Sequence, residues 1–179
     1  MTTPVPELSA QNNNILDTDF ILDDEDPWLG TTPSYGRVPI PSTPGNYSFY
    51  WHWPCQSDPD APILVILAGI SNIPIIYRAF DGFNPLTINA DHKCLEKNPY
   101  AFTQKVNLLY IDSPVGVGYS ISKMPIKSRA QELQSMVALF GHLLEKHPNW
   151  KNSDFLFHGV DGCGISLPFI VNGLERRLG

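Results

Sequence analysis

Three short, nearly continuous apolar runs constrain this chain most: Ile63 to Leu67, Val106 to Ile111 and Phe155 to His158. A strand with water on one face alternates apolar and polar side chains. A run without that alternation needs cover on both faces, as in a parallel sheet between helices. The clearest helix spans about Ser128 to Lys146, between the last two runs. Its Leu133, Met136, Val137, Phe140, Leu143 and Leu144 recur at three- and four-residue steps, forming one buried stripe, and Pro148 stops it. Ahead of the first run, Tyr35 to Ile40 and Tyr47 to Trp53 read as strands joined by the Pro41-to-Asn46 turn, an antiparallel hairpin. The order predicts an α/β fold: a mostly parallel sheet with right-handed crossovers, an N-terminal antiparallel hairpin and helices on both faces.

The chain has 179 residues, 42% hydrophobic and 17% charged, enough for one domain with a substantial core. Residues 1–34 differ from residues 35–179. Asp17, Asp19, Asp23, Asp24, Glu25 and Asp26 there surround Phe20, Ile21, Leu22 and Trp28. A flexible acidic tail is one reading. An arm that lays those four apolar residues in a partner's groove is the other, and is favoured because a solubilising tail has no need of them.

The net charge of -6 argues against unguided nucleic-acid binding. Cys55, Cys94 and Cys163 are too few and too scattered for a disulfide framework or a CxxC site, and the five histidines add no zinc spacing. No metal or cofactor is therefore expected. No apolar run has the length of a membrane span. The N-terminus lacks a basic segment followed by an apolar block, and its first arginine is Arg37, so neither a secretory leader nor an ordinary transit peptide is expected in the sequence as given. These features favour an intracellular or organellar setting, mitochondria included, over secretion.

The third apolar run leads into Gly159-Val160-Asp161-Gly162-Cys163-Gly164 and then Ile165 to Val171. Strand, tight turn and helix is the natural reading, with glycines permitting strained backbone and close approach. That is the outline of a nucleophile elbow, but its apex is Asp161 instead of serine.

Three blocks then point to a family. They are Asn46 to Trp51 (Asn-Tyr-Ser-Phe-Tyr-Trp), Cys94 to Phe102 (Cys-Leu-Glu-Lys-Asn-Pro-Tyr-Ala-Phe), and Val106 to Ser120, with its Asp112-Ser113-Pro114-Val115-Gly116-Val117-Gly118-Tyr119-Ser120 ending. From about Tyr35 to Leu178 the chain resembles the serine carboxypeptidases, which implies a truncated version of the α/β-hydrolase sheet. The resemblance also marks departures. Where the family has Asn-Gly-Gly-Pro-Gly after the first central strand, this chain has Ala68, Gly69, Ile70, Ser71 and Asn72. The family's second glycine there supplies an oxyanion-hole amide, and its asparagine helps hold the peptide's terminal carboxylate. Ala68 has no group for that carboxylate, and Ile70 puts a branched side chain where backbone should approach substrate. Where the family has Gly-Glu-Ser-Tyr-Ala-Gly, Val160 replaces the carboxylate-recognising glutamate and Asp161 the nucleophile. The family's catalytic aspartate and histidine fall downstream of residue 179.

The resemblance thus implies a non-catalytic relative, degenerate at Gly69, Ile70 and Asp161, acting as a structural subunit among other protein subunits of a larger complex. Two alternatives stay open. An aspartate at an elbow can attack carbon, as in dehalogenases and epoxide hydrolases, but needs a histidine to activate water. His158, on the strand, is expected in the core and offers none. A split enzyme, completed by another polypeptide, is the second. Cys163 reads as a small buried residue at a helix start, ahead of a displaced thiol nucleophile.

Overall fold

In chain order the elements are β1 (Phe20–Ile21), β2 (Ser34–Pro39), β3 (Tyr47–Trp53), β4 (Ile63–Leu67), α1 (Ile76–Ala79), β5 (Leu86–Ile88), β6 (Leu95–Lys97), β7 (Asn107–Asp112), α2 (Arg129–Lys146), β8 (Phe155–Gly159) and α3 (Cys163–Leu178). Short 3-10 turns lie at Phe102–Gln104 and Pro148–Asn152. The structure is a computed structural model and describes residues 20–21, 30–67, 73–80, 82–88, 95–159 and 162–178.

The main sheet has the order β1-β2-β3-β7-β4-β8, and β5 and β6 form a separate antiparallel pair. β2, β4, β7 and β8 run one way, while β1 and β3 oppose them. The parallel centre, the antiparallel β2–β3 hairpin and the helices on both faces match the sequence reading. Phe20 and Ile21 of the expected arm pair with Tyr35 and Ser34, so at these two residues the backbone runs along β2. Leu22 and Trp28 lie outside the described residues.

The pleat of β4 explains its unbroken apolar run. Ile63, Val65 and Leu67 face α2 and α3, together with Tyr50, Leu109, Ile111, Met136, Leu139 and Ile170. Ile66 packs on the other face, beside Leu108, Tyr110, Trp53, Ile75 and Ala79. Each such side chain taken fully from water contributes about 1.5–3 kcal/mol. The long helix begins where Ser128, in extended conformation, accepts the Gln131 N–H, and ends at His147 before Pro148. A serine cap of this kind is worth roughly 1 kcal/mol.

The buried stripe of α2 differs slightly from expectation. Leu139 is fully buried and was not among the six, whereas Val137 and Leu144 are only partly covered. The stripe centres on Met136, Leu139, Phe140 and Leu143, which places those two at its margin. β8 differs more. Leu156 is 49% exposed and His158 is exposed, because β8 is the outermost strand and has a neighbour on one side only among the described residues.

Candidate functional site

The three parallel strands β4, β7 and β8 finish together, with Leu67 opposite both Ile111 and Gly159. In open α/β sheets, ligands bind beyond the carboxyl ends of such strands. The segments that follow Leu67, Asp112 and Gly159 therefore start from one end of the sheet.

At β8 the geometry beneath the elbow is well defined. A Cβ added to Gly159 would lie 2.8 Å from the Cβ of Cys163 and 3.2 Å from Cδ2 of Leu167. The first turn of α3 can lie against the strand end only because residue 159 has no side chain. Cys163 is 4% exposed, the small buried residue expected there. The apex residues Val160 and Asp161 lie outside the described residues, as do Ala68, Gly69 and Ile70 of the expected oxyanion segment. His158 overturns its expectation. It is exposed, on the face opposite α2, with its ring 5.7 Å from that of Phe83. Alternation along β8 aims it away from α2 and α3, and among the described residues too little packs over it to bury it.

At β7 the end is a brace that the sequence reading did not single out. Asp112 is buried, and its Oδ1 accepts the Ile75 N–H at 2.7 Å while its Oδ2 accepts the Tyr119 N–H at 2.8 Å. The Ser120 hydroxyl donates to the Asp112 carbonyl at 2.8 Å and accepts the Phe49 N–H at 2.8 Å. Burial pushes the Asp112 carboxyl above its ordinary range, and the two amide donors pull it part of the way back. Gly118 completes the brace: its φ is +57°, and a Cβ there would run into the Asp112 carboxylate. With each carboxylate oxygen held by an amide, Asp112 ties the start of α1 to the loop after β7. An aspartate closing an apolar strand is the signal that could have revealed it, since a buried carboxylate requires donors.

Next to it, the Ser113 hydroxyl donates to Oε1 of Glu132 at 3.3 Å. Burial raises the Glu132 carboxyl, against the opposing effects of Ser113 and then Arg129. The loop carrying β5 and β6 is fastened by Asn98. Its Nδ2 donates to the carbonyls of Gly82 (2.7 Å) and Asn84 (2.8 Å), and its Oδ1 accepts the Tyr100 N–H at 2.9 Å. The Tyr110 hydroxyl donates to Oδ1 of Asn84 at 2.8 Å, linking that loop to β7.

Among the described residues no group of three or more His, Cys, Asp or Glu could hold a metal ion. No described helix is long and apolar enough to cross a membrane. What the geometry provides is a strand-to-helix frame for an elbow and a rigid loop support beside it.

Comparison with known proteins accounts for that frame. The family model for serine carboxypeptidase matches residues 28–177. Serine carboxypeptidase-like 50 of Arabidopsis thaliana is 30% identical over 143 residues, covering 75% of this chain and 32% of the relative. The lysosomal protective protein of Mus musculus is 27% identical over 150 residues, covering 81% of this chain and 32% of its own length. The chain thus spans about a third of the length of these relatives. The solved structure of KEX1(DELTA)P, a prohormone-processing carboxypeptidase from Saccharomyces cerevisiae, superposes with a TM-score of 0.72 at 19% identity. That match covers 88% of this chain and 37% of the yeast chain, and it establishes the fold. The strand order, the glycine beneath the elbow and the extent of the sequence match place this chain in the serine carboxypeptidase family.

Proposed function

We propose that this chain is a serine-carboxypeptidase-type scaffold that docks other protein subunits and does not carry serine hydrolysis through residue 161. The observation behind this reading is a retained frame with a changed apex. β8, Gly159 and α3 stand as an elbow requires, and the residue at the apex position in the sequence is Asp161. An aspartate has no hydroxyl to form the acyl-ester of serine chemistry. Removing a triad member leaves roughly 10³- to 10⁴-fold catalysis from the oxyanion hole and binding. Ala68 and Ile70, standing where the family has asparagine and glycine, weigh against those contributions too, since one oxyanion donor is worth about 2.7–4 kcal/mol.

One feature supports docking: the arm with Phe20, Ile21, Leu22 and Trp28. The setting proposed is an intracellular or organellar assembly, a mitochondrial one included. Incubation with a fluorophosphonate probe and with peptides should give neither labelling nor release of a terminal residue, and Asp161→Ala should change nothing. Deleting Met1 to Thr32 should reduce recovery of co-purifying subunits. Turnover of an ester, halide or epoxide that Asp161→Ala abolishes would overturn the proposal in favour of an aspartate-nucleophile hydrolase.

A further inference from the structure

We propose that the turn Pro148–Asn152 is an acid-released latch: neutral His52 holds Trp150 in its cage, and a proton on that imidazole frees the turn while the sheet stays folded. The latch precedes β8 and the elbow follows it, so the inference does not rest on the preceding proposal.

One side chain pins the turn. Pro148, Asn149, Lys151 and Asn152 are exposed, and Trp150 between them is buried. The Trp150 N–H donates to the His147 carbonyl and the Ser153 N–H to the Trp150 carbonyl. Those bonds wind the turn and do not fasten it to the sheet. A polar tie to the rest of the chain, from Nδ2 of Asn149 to Oδ1 of Asp60 at 3.0 Å, lies in the open, where it is worth little. The indole, by contrast, sits among rings. His147 stacks on it at 4.4 Å, His52 of β3 meets it edge-on at 4.9 Å, and Phe155 meets it edge-on at 6.4 Å.

One ring of that cage changes chemistry with pH. His52 is buried, and its Nε2 has no hydrogen-bond partner among the described residues. A neutral imidazole can leave that nitrogen unprotonated, whereas an imidazolium places an N–H there that requires an acceptor. The groups that face His52 are Lys146 and His147 from α2, Asn107 from β7 and Trp150 from the turn. No carboxylate is among them. Lys146 already brings an ammonium, which donates to the Tyr50 hydroxyl at 3.2 Å. His147 lies flat on the indole, and an aromatic face accepts a cation. The proton-sensitive member is therefore His52.

The direction follows from the two environments of that ring. Closed, it stays neutral down to about pH 3; opened to water, it titrates near 6.5. Above about pH 6.5 the proton has no effect through this group, and below it each pH unit favours the open turn by up to about tenfold. The ladders of β4 with β7 and β8 use no group from the turn, so the opening can stop there.

Hydrogen exchange of the 179-residue chain from neutral to mildly acidic pH, corrected for intrinsic rates, tests the latch. The amides of Trp150 and Ser153 should open up to about tenfold more often per pH unit below about 6.5, and should recover on return to neutral pH. Low urea separates local from global opening: it should speed the β7 amides and leave the turn amides unchanged, because a turn exposes little surface. In His52→Phe the opening of the turn should lose its pH dependence. His52→Gln, which keeps a polar group beside Asn107 and takes up no proton, should lose it equally and serves where the aromatic replacement fails to fold. Turn amides indifferent to pH, turn amides as sensitive to urea as those of β7, or an acid response that survives either folded variant would each overturn the latch.

Discussion

Strands β7 and β8 are both apolar runs in the sequence, and the fold treats them differently. All six residues of β7 are buried, because it lies between β3 and β4 with α2 and α3 on one face and α1 with aromatic side chains on the other. In β8, Leu156 is 49% exposed, and Phe155 and Phe157 are only partly covered. The strand ends differ in kind as well. β7 closes on a hydrogen-bonded carboxylate, while β8 closes on the contact of Gly159 with Cys163. The contrast teaches that an unbroken apolar run declares a need for cover on both faces and does not supply it. Whatever provides that cover at β8 comes from outside the described residues.

The contrast can be broken at its strongest point first. Leu109→Ala, at a fully buried site on β7, should cost about 2–5 kcal/mol in urea unfolding, with little change in the slope. A loss under about 1 kcal/mol would mean the centre of the sheet is not packed as described. Gly118→Ala tests the brace at the end of β7. It requires a side chain at φ +57° and pushes toward Asp112, so a loss of about 2–3 kcal/mol in thermal unfolding is expected.

The third test uses His52, on β3 beside β7. Its imidazole is buried, edge-on to Trp150 at 4.9 Å, with His147 at 5.5 Å. Burial lowers its pKa to about 3, with His147 and Lys146 adding to the effect against a hydrogen bond with Asn107. The unfolded chain takes up a proton near pH 6.5 that the folded chain refuses, so the stability from neutral His52 is full above pH 6.5. It is lost as pH falls toward about 3, by up to about 1.4 kcal/mol per pH unit. Asp112 and Glu132, whose carboxyls are raised, act in the opposite sense: their contribution is full below their unfolded pKa values and is lost as pH rises. His52→Phe should flatten the acid limb of a stability–pH curve, and an unchanged limb would remove His52 from the account. The smallest effect belongs to the edge. Leu156→Ala should shift stability by no more than about 0.5 kcal/mol when measured on the monomer.

Much of the fold was legible because it is written in neighbours along the chain. β2, β3, β4, β7, α2 and β8 were each located to within a residue at either end, from alternation, apolar runs, a three-and-four stripe and the Pro148 stop. The β5–β6 pair and α1 were not. Their segments are short and have no period, and they are held by contacts such as Asn98 to Gly82 and Ile75 to Asp112. Of the candidate site, the identities of Asp161, Gly69 and Ile70 were plain, and Gly159 sits where an elbow requires. The position of Asp112 at the end of an apolar strand hinted at a brace, but its donors were not legible, since they come from residue 75 on one side and residue 119 on the other.

The sequence by itself determined where most of the strands and the long helix lie, that the sheet needs layers on both faces, and that residue 161 is an aspartate. These follow from side-chain chemistry read at short range. Only the tertiary structure decided that β7 inserts between β3 and β4, that β8 is outermost among the described strands, and that His158 is exposed. Strand order and edge position arise from pairings between residues far apart in the chain, such as Tyr50 with Ile111 and Ile63 with Phe155, and no local pattern records which partner a strand will take.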